Sequence, residues 1–439
     1  MKTRSSIRIR IAFLAQRVVR TVLAFGIALL TLMLALPATA QSYQILHNFG
    51  GLAAADGWSP FGGLIADASG NLYGTTQYGG ALYGDGFGYG TVYELLANGG
   101  EKVFYYFTGT TDGANPTGAL IADSAGNLYG TAETGGDPKC GVQSGGCGVV
   151  FKLTPQGTET VLYTFTGRGD GAYPAGGLIR DAAGNLYGTA SQGGKTHRSC
   201  LQAGCGVVFK LNPAGQETVL YTFTGPPDGE TPLGSLVQDA AGNLYGTTVQ
   251  GGSRCPSRSA YGCGTVYKLD PTGHVTILHA FSQESDGGSP QSGLILDPAG
   301  NLYGTTTNGG ANLSCRLGNT TGCGVVFKVD PSGNETVLYT FPGGAAGAVP
   351  FASLVRDPKG NLYGATAAGG SINGLYADGC GVVFKLTPTG YETVLHSFQY
   401  TDGCGPFGNL LIYNGYLYGT TGGGGVNGSY FGVAFQLQP

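Results

Sequence analysis

Charge is scarce in this chain: only 11% of its 439 residues are Asp, Glu, Lys or Arg, and a single tryptophan stands among them. The chain contains no Gly-x-Ser-x-Gly, no His-Glu-x-x-His and no phosphate-binding loop, which weakens any reading as a serine hydrolase, metalloprotease or nucleotide-triphosphatase. It has no Cys-x-x-Cys either. Long helical periodicity is missing beyond the first forty residues, and no second apolar run there is long enough to span a bilayer.

The first forty residues form a targeting segment. Lys2, Arg4, Arg8, Arg10, Arg17 and Arg20 precede an apolar run from about Val22 to Leu36, and Ala38-Thr39-Ala40 offers a cleavage site. The expectation is a signal peptide over 1–40 and one mature domain over 41–439, exported, soluble and released to the periplasm or medium. Cleavage leaves 16 Lys and Arg against 26 Asp and Glu, a net charge of −10. Nucleic acid is therefore not an expected partner, because such binding rests on basic residues neutralising phosphates.

What is abundant is glycine, 83 residues, together with 26 Tyr and 20 Phe. Aromatic content on that scale argues for a packed core, with the glycines marking turns. The phrase Gly70-Asn71-Leu72-Tyr73-Gly74 recurs at Asn127, Asn185, Asn243, Asn301 and Asn361, and as Gly415-Tyr416-Leu417-Tyr418-Gly419. Its tyrosines lie 55 to 60 residues apart, room for four short strands and their turns.

The second copy shows the unit, with strands a to d in chain order. They are Ala119-Leu120-Ile121, Leu128–Thr131, Gly148–Leu153 and Thr160–Phe165. Val149, Phe151 and Leu153 alternate with Val150 and Lys152, the period of a half-buried strand. Asp-x-x-Gly-Asn joins a to b, Pro-x-Gly joins c to d, and the seventh copy shortens its first turn to Asn414-Gly415, a hairpin signal. The repeated Asp67, Asp123, Asp181, Asp239, Asp297 and Asp357 are thus turn residues. A strand d stands alone at Tyr43–Phe49, and none follows the last strand c at Val433–Leu437. The expected fold is an all-β, seven-bladed β-propeller, closed by the N-terminal strand completing the last blade.

Ten cysteines follow the repeat. Cys147, Cys205, Cys263, Cys323 and Cys380 open strand c, and Cys140, Cys200, Cys255 and Cys315 precede the first four of them in the same b–c loops. Strands alternate in direction, so b–c and d–a loops share a face, and Cys404 in a d–a loop is the partner for Cys380. Five disulfides are expected, in keeping with export. No metal and no cofactor are expected. The d–a loops also repeat Asp-Gly before Pro, at Asp56, Asp112, Asp170, Asp228, Asp286 and Asp402. These read first as Asx-type turns, and alternatively as a carboxylate ring attracting a cation at the channel mouth.

Residues outside the repeat are the candidates for function. Trp58 stands in the first d–a loop, Tyr78, Tyr83, Phe87 and Tyr89 in the first b–c loop, and Tyr430 and Phe431 in the seventh; neither b–c loop contains cysteine. Closure brings these loops together, where exposed aromatics suit sugar rings or a protein partner; the alternative is that they pack on one another. His47, His279 and His396 occupy the strand-d place of Tyr163, Tyr221 and Tyr339, so they read as outer-strand variants. Asp85, Glu133, Glu230 and Asp378 are unrepeated loop carboxylates that could form an acid/base pair.

The recurring Leu-Ile-x-Asp-x-x-Gly-Asn-Leu-Tyr-Gly-Thr, Cys-Gly-Val-Val-Phe-Lys-Leu and Glu-Thr-Val-Leu-Tyr-Thr-Phe resemble the GloVer (Gloeo/Verruco-type) tandem repeat of choice-of-anchor bacterial exported proteins. The resemblance covers nearly the whole mature chain and implies a secreted or surface-associated bacterial repeat protein. A looser likeness is to NHL and gluconolactonase-like propellers, which share Asp-x-x-Gly-Asn-Leu-Tyr. Those blades commonly continue with an acidic residue where this chain has Thr75-Thr76 or Thr131-Ala132, so lactonase chemistry is not expected. The leading expectation is a monomeric, non-enzymatic binding module for extracellular glycan or protein. The alternatives are a polysaccharide hydrolase or lyase with acids on b–c loops, and a purely structural exported protein.

Overall fold

The computed structural model describes residues 42–50, 55–80, 87–140, 145–194, 200, 203–252, 262–312, 315–317, 320–371, 378–426 and 431–439. Tyr43–Pro439 form one compact unit of seven antiparallel blades. In blade two the strands are Ile121–Ala122, Leu128–Ala132, Val149–Leu153 and Glu159–Thr164, hydrogen-bonded in that order. Strand a is shorter than its apolar pattern predicts. The residues before it turn toward the axis, where a Cβ on Gly118 would sit 2.9 Å from the carbonyl oxygen of Gly176 in the next blade. Crowding of seven chains round one axis bends this segment out of the ladder.

The ring closes as the lone strand requires. Tyr43–Asn48 pairs antiparallel with Val433–Leu437, matching Tyr43 to Leu437 and Asn48 to Val433. Both edges that would template aggregation are thereby satisfied. The shortened turn of blade seven is a two-residue hairpin with Asn414 at φ 48° and Gly415 at φ 81°, the left-handed pair that such a turn demands.

One device repeats at every junction between blades. The aromatic residue following strand d meets the strand-c aromatic of the next blade edge-on: Phe107 with Phe151 at 5.1 Å, Phe165 with Phe209 at 5.2 Å, and at the closure Phe49 with Tyr93 at 4.9 Å. Such pairs add roughly 0.5–1.5 kcal/mol beyond their buried area. Each strand-c ring in turn lies over the glycine of the repeated Leu-Tyr-Gly. A Cβ at Gly130 would meet Phe151 Cζ at 2.6 Å and Leu120 Cδ2 at 2.8 Å. This glycine recurs because the ring needs its space.

The turn aspartates act as their pattern implies. Asp123 accepts from the Asn127 amide at 2.9 Å, Asn127 Nδ2 at 2.8 Å and Tyr129 Oη at 2.9 Å. Burial works to raise its pKa, but hydrogen bonds from Asn127, Tyr129 and Ala125 outweigh this and hold it at about 2. Disulfides join Cys140 to Cys147, Cys200 to Cys205, Cys315 to Cys323 and Cys380 to Cys404. Cys255 lies outside the described residues, so its expected pairing with Cys263 is not described.

Candidate functional site

The d–a aspartates take the first of their two readings. Asp112 accepts from the Thr108 amide at 2.8 Å, Thr108 Oγ1 at 2.6 Å and Tyr105 Oη at 3.1 Å, so its carboxylate caps its own loop and ties it to the outer strand. Asp170 and Asp228 repeat this with Tyr163 and Tyr221. These carboxylates are held on the outer strand instead of forming a cation-attracting ring at the channel mouth. The three strand-d histidines substitute for tyrosine in the same contact: Nε2 lies 2.9 Å from Asp56 for His47, 3.3 Å from Asp286 for His279 and 3.1 Å from Asp402 for His396. They are fastenings of the rim, which the sequence pattern showed only as packing.

At the junction of blades one and seven, closure brings aromatic residues together. Trp58 and Tyr78 exchange backbone hydrogen bonds across the two loops, and their rings stack at 4.5 Å. Phe431 joins from blade seven, 6.2 Å from Trp58 edge-on, and the Ser59 amide donates to the Phe431 carbonyl at 2.9 Å. Phe87, 54% exposed, stands 6.4 Å from the indole with its ring tilted to it. Trp58 Nε1 is buried and has no hydrogen-bond partner among the described residues. The Tyr89 ring lies against the next d–a loop, where a Cβ on Gly109 would sit 2.5 Å from it. Tyr83 and Tyr430 lie outside the described residues.

The segments between each d–a proline and strand a converge on an axial cavity of about 260 Å³. Five blades tie its frame by the same contact, while blade six has Ala365 in that place and Thr75 Oγ1 of blade one has no partner among the described residues. Thr131 Oγ1 donates to the Gly176 carbonyl at 3.2 Å and Thr189 Oγ1 to that of Gly234 at 3.3 Å, each reaching one blade onward. Its lining is not uniform. The residue after proline is phenylalanine in three consecutive blades, and Phe61 and Phe407 stack at 4.7 Å while Phe351 meets Phe407 edge-on at 5.3 Å. Elsewhere that place holds Thr117, Ala175, Leu233 or Gln291. Glu133, at the end of strand b in blade two, is the one ionisable residue among the described lining residues, and burial raises its pKa. A groove of about 510 Å³ beside this cavity shares Phe61 and Phe407 and adds Tyr400 and Asp378.

Of the other unrepeated carboxylates, Glu230 is 3% exposed, its Oε2 has no partner among the described residues, and burial raises its pKa. Asp85 lies outside the described residues. The axial phenylalanines were missed in sequence. The signal available was the variable residue that follows the repeated d–a proline.

With this geometry in view, the profile of the Gloeobacter/Verrucomicrobia repeat matches residues 35–255, 142–314 and 254–439. The chain belongs to the Gloeobacter/Verrucomicrobia repeat family. No curated protein sequence matches it significantly. Among solved structures this repeat protein is similar to the extracellular domain of a one-component system from B. thetaiotaomicron (12% identity, TM-score 0.52, covering 91% of this chain and 41% of that one). It is also similar to the extracellular domain of a hybrid two-component system from B. thetaiotaomicron (11%, 0.50, 91% and 42%), and to a protein assigned as a gluconolactonase (12%, 0.43, 92% and 93%). At these identities the likeness is one of fold. The repeat chain spans less than half of each of these two extracellular-domain chains. Among its described residues no helix is long and apolar enough to cross a membrane.

Proposed function

We propose that this repeat protein is an exported binding module that engages extracellular glycan or protein through the aromatic cluster of blades one and seven, without catalysis. The observation that carries the reading is the Trp58–Tyr78 stack with Phe87 exposed beside it. The seven blades need aromatics in their cores, but the fold does not require an exposed phenylalanine against the only tryptophan. Flat amphipathic rings offer contact area at low entropic cost, whether to a pyranose face or to a protein side chain. Disulfides in the loops of the same face, the basic and apolar leader, and a fold shared with the extracellular domain of a one-component system support export.

What favours binding over glycosidic hydrolysis is carboxylate number. That chemistry ordinarily takes two carboxyls across one bond, whereas among the described residues the axial cavity is lined by Glu133 alone and the adjoining groove by Asp378 alone.

The test incubates the purified protein with insoluble and soluble polysaccharides and reads retention and released sugar ends in the same tubes. Retention without release, lost at least tenfold in Trp58→Ala, is the expected result. Release of sugar ends, or retention indifferent to Trp58→Ala and Phe87→Ala, would overturn the reading.

A further inference from the structure

The axial cavity is distinct from the aromatic cluster and has a chemistry of its own. Its walls are glycine backbone and small side chains interrupted by Leu233 and the amides of Gln77, Gln291 and Asn409, and the aromatic and charged groups define what else fits. On one side three phenylalanines from blades six, seven and one form a continuous apolar surface, with Phe61 parallel to Phe407 and Phe351 set against its edge. Glu133 supplies a carboxyl that makes no side-chain hydrogen bond or ion pair among the described residues, and no Lys or Arg shares the lining. Gln77 and Asn409 add neutral hydrogen-bonding groups. Aromatic faces together with one unneutralised carboxylate attract a cation and offer nothing to an anion.

We propose that the axial cavity binds a small organic ammonium ion, its charge paired with Glu133 and its apolar part against Phe61, Phe351 and Phe407.

Size fits this class. A cavity of about 150 Å³ accommodates benzene, so about 260 Å³ accommodates a ligand of ring size with a short substituent and not an oligosaccharide. Burial disfavours the Glu133 carboxylate, and a bound ammonium would offset that cost by direct pairing. The threonine-to-carbonyl bonds between blades hold the lining in place before any ligand arrives, which limits the ordering cost of binding.

The experiment titrates the purified protein by calorimetry with choline and with its uncharged isostere 3,3-dimethylbutan-1-ol. Choline is expected to bind with a dissociation constant below about 1 mM, at least about tenfold tighter than the isostere. Glu133→Gln should abolish that difference, and Phe407→Leu should weaken choline binding several-fold, with melting curves confirming that both variants are folded. Trp58→Ala should leave choline binding unchanged, which separates this site from the cluster. Equal affinity for choline and isostere, no choline binding at about 10 mM, or a preference that survives Glu133→Gln would each overturn the proposal; so would a neutral sugar that binds the cavity in choline's place.

Discussion

The outer rim predicts an unusual response to pH. Strand d of most blades begins with Glu, and the structure buries Oε1 of Glu101, Glu159, Glu217, Glu335 and Glu392 without a hydrogen-bond partner among the described residues. Each pKa is raised by burial first, and the Glu159 and Glu217 carboxyls are pushed up to about 7, with the charges of Asp112 and Asp170 in the preceding blades adding to the effect. For a carboxyl raised in the folded state, the folded protein holds more protons than the unfolded one between about pH 4.5 and 7, so stability falls as pH rises through that window. The full shift would be worth about 3.4 kcal/mol per site. Because both groups are only half-buried, solvent screening brings the expected value down to about 1 kcal/mol each. Replacing both with glutamine should therefore stabilise the protein by about 2 kcal/mol at pH 8 and change little at pH 4.5. For a domain of about 400 residues that is roughly 2 °C in melting temperature. Calorimetric melts at half-unit pH steps would show the wild-type and double-variant curves separating as pH rises. Parallel curves, or a double variant less stable at pH 8, would refute the reasoning.

Gly130→Ala should destabilise by about 1–3 kcal/mol through overpacking, since its Cβ would lie 2.6 Å from Phe151 Cζ, and Phe151→Leu in the same chain should recover part of the loss in denaturant titrations. Replacing Cys380 and Cys404 by serine opens a loop of 24 residues and should cost about 3.4 kcal/mol in the chain-entropy treatment, against about 2.4 kcal/mol for Cys140 and Cys147 with their separation of 7; equal losses would show that loop length is not what governs them. At the inner turns the sign reverses relative to the rim glutamates. Asp123 is held at about 2, so its contribution is present above about pH 4 and fades as pH falls toward 2, and Asp123→Asn should flatten the acid limb of the same calorimetric profile.

Much of the fold was legible because its determinants are local and repeated. Gly-Asn-Leu-Tyr-Gly encodes a turn, a strand and the space beneath a ring within five residues, and the unpaired Tyr43–Phe49 announced the closure. The length of strand a was not legible. Ala119-Leu120-Ile121 has the apolar character of a strand, but the approach of Gly118 to Gly176 is set by the number of blades round the axis, a global quantity. The rim was half legible: His47, His279 and His396 could be matched to tyrosines by position, while their aspartate partners emerge only when the d–a loop folds back on the strand.

The aromatic cluster and the axial cavity show why function is harder to read than fold in a repeat protein. Residues common to all blades answer to the ring, so any specificity must reside where the blades differ. Loop composition drew attention to Trp58, Tyr78 and Phe87 because these aromatics break the pattern conspicuously. Phe61, Phe351 and Phe407 break it by one residue each, inside a frame that otherwise reads as a proline turn, and they lie 56 to 346 positions apart. Only closure makes Phe61 and Phe407 neighbours, and only convergence at the axis sets Glu133 into the same cavity. A single blade could not hold this arrangement at all. Asymmetry within the ring, built from substitutions at two repeated positions, the residue after the d–a proline and the residue after strand b, is what turns seven similar blades into a cavity with an aromatic side and a charged group.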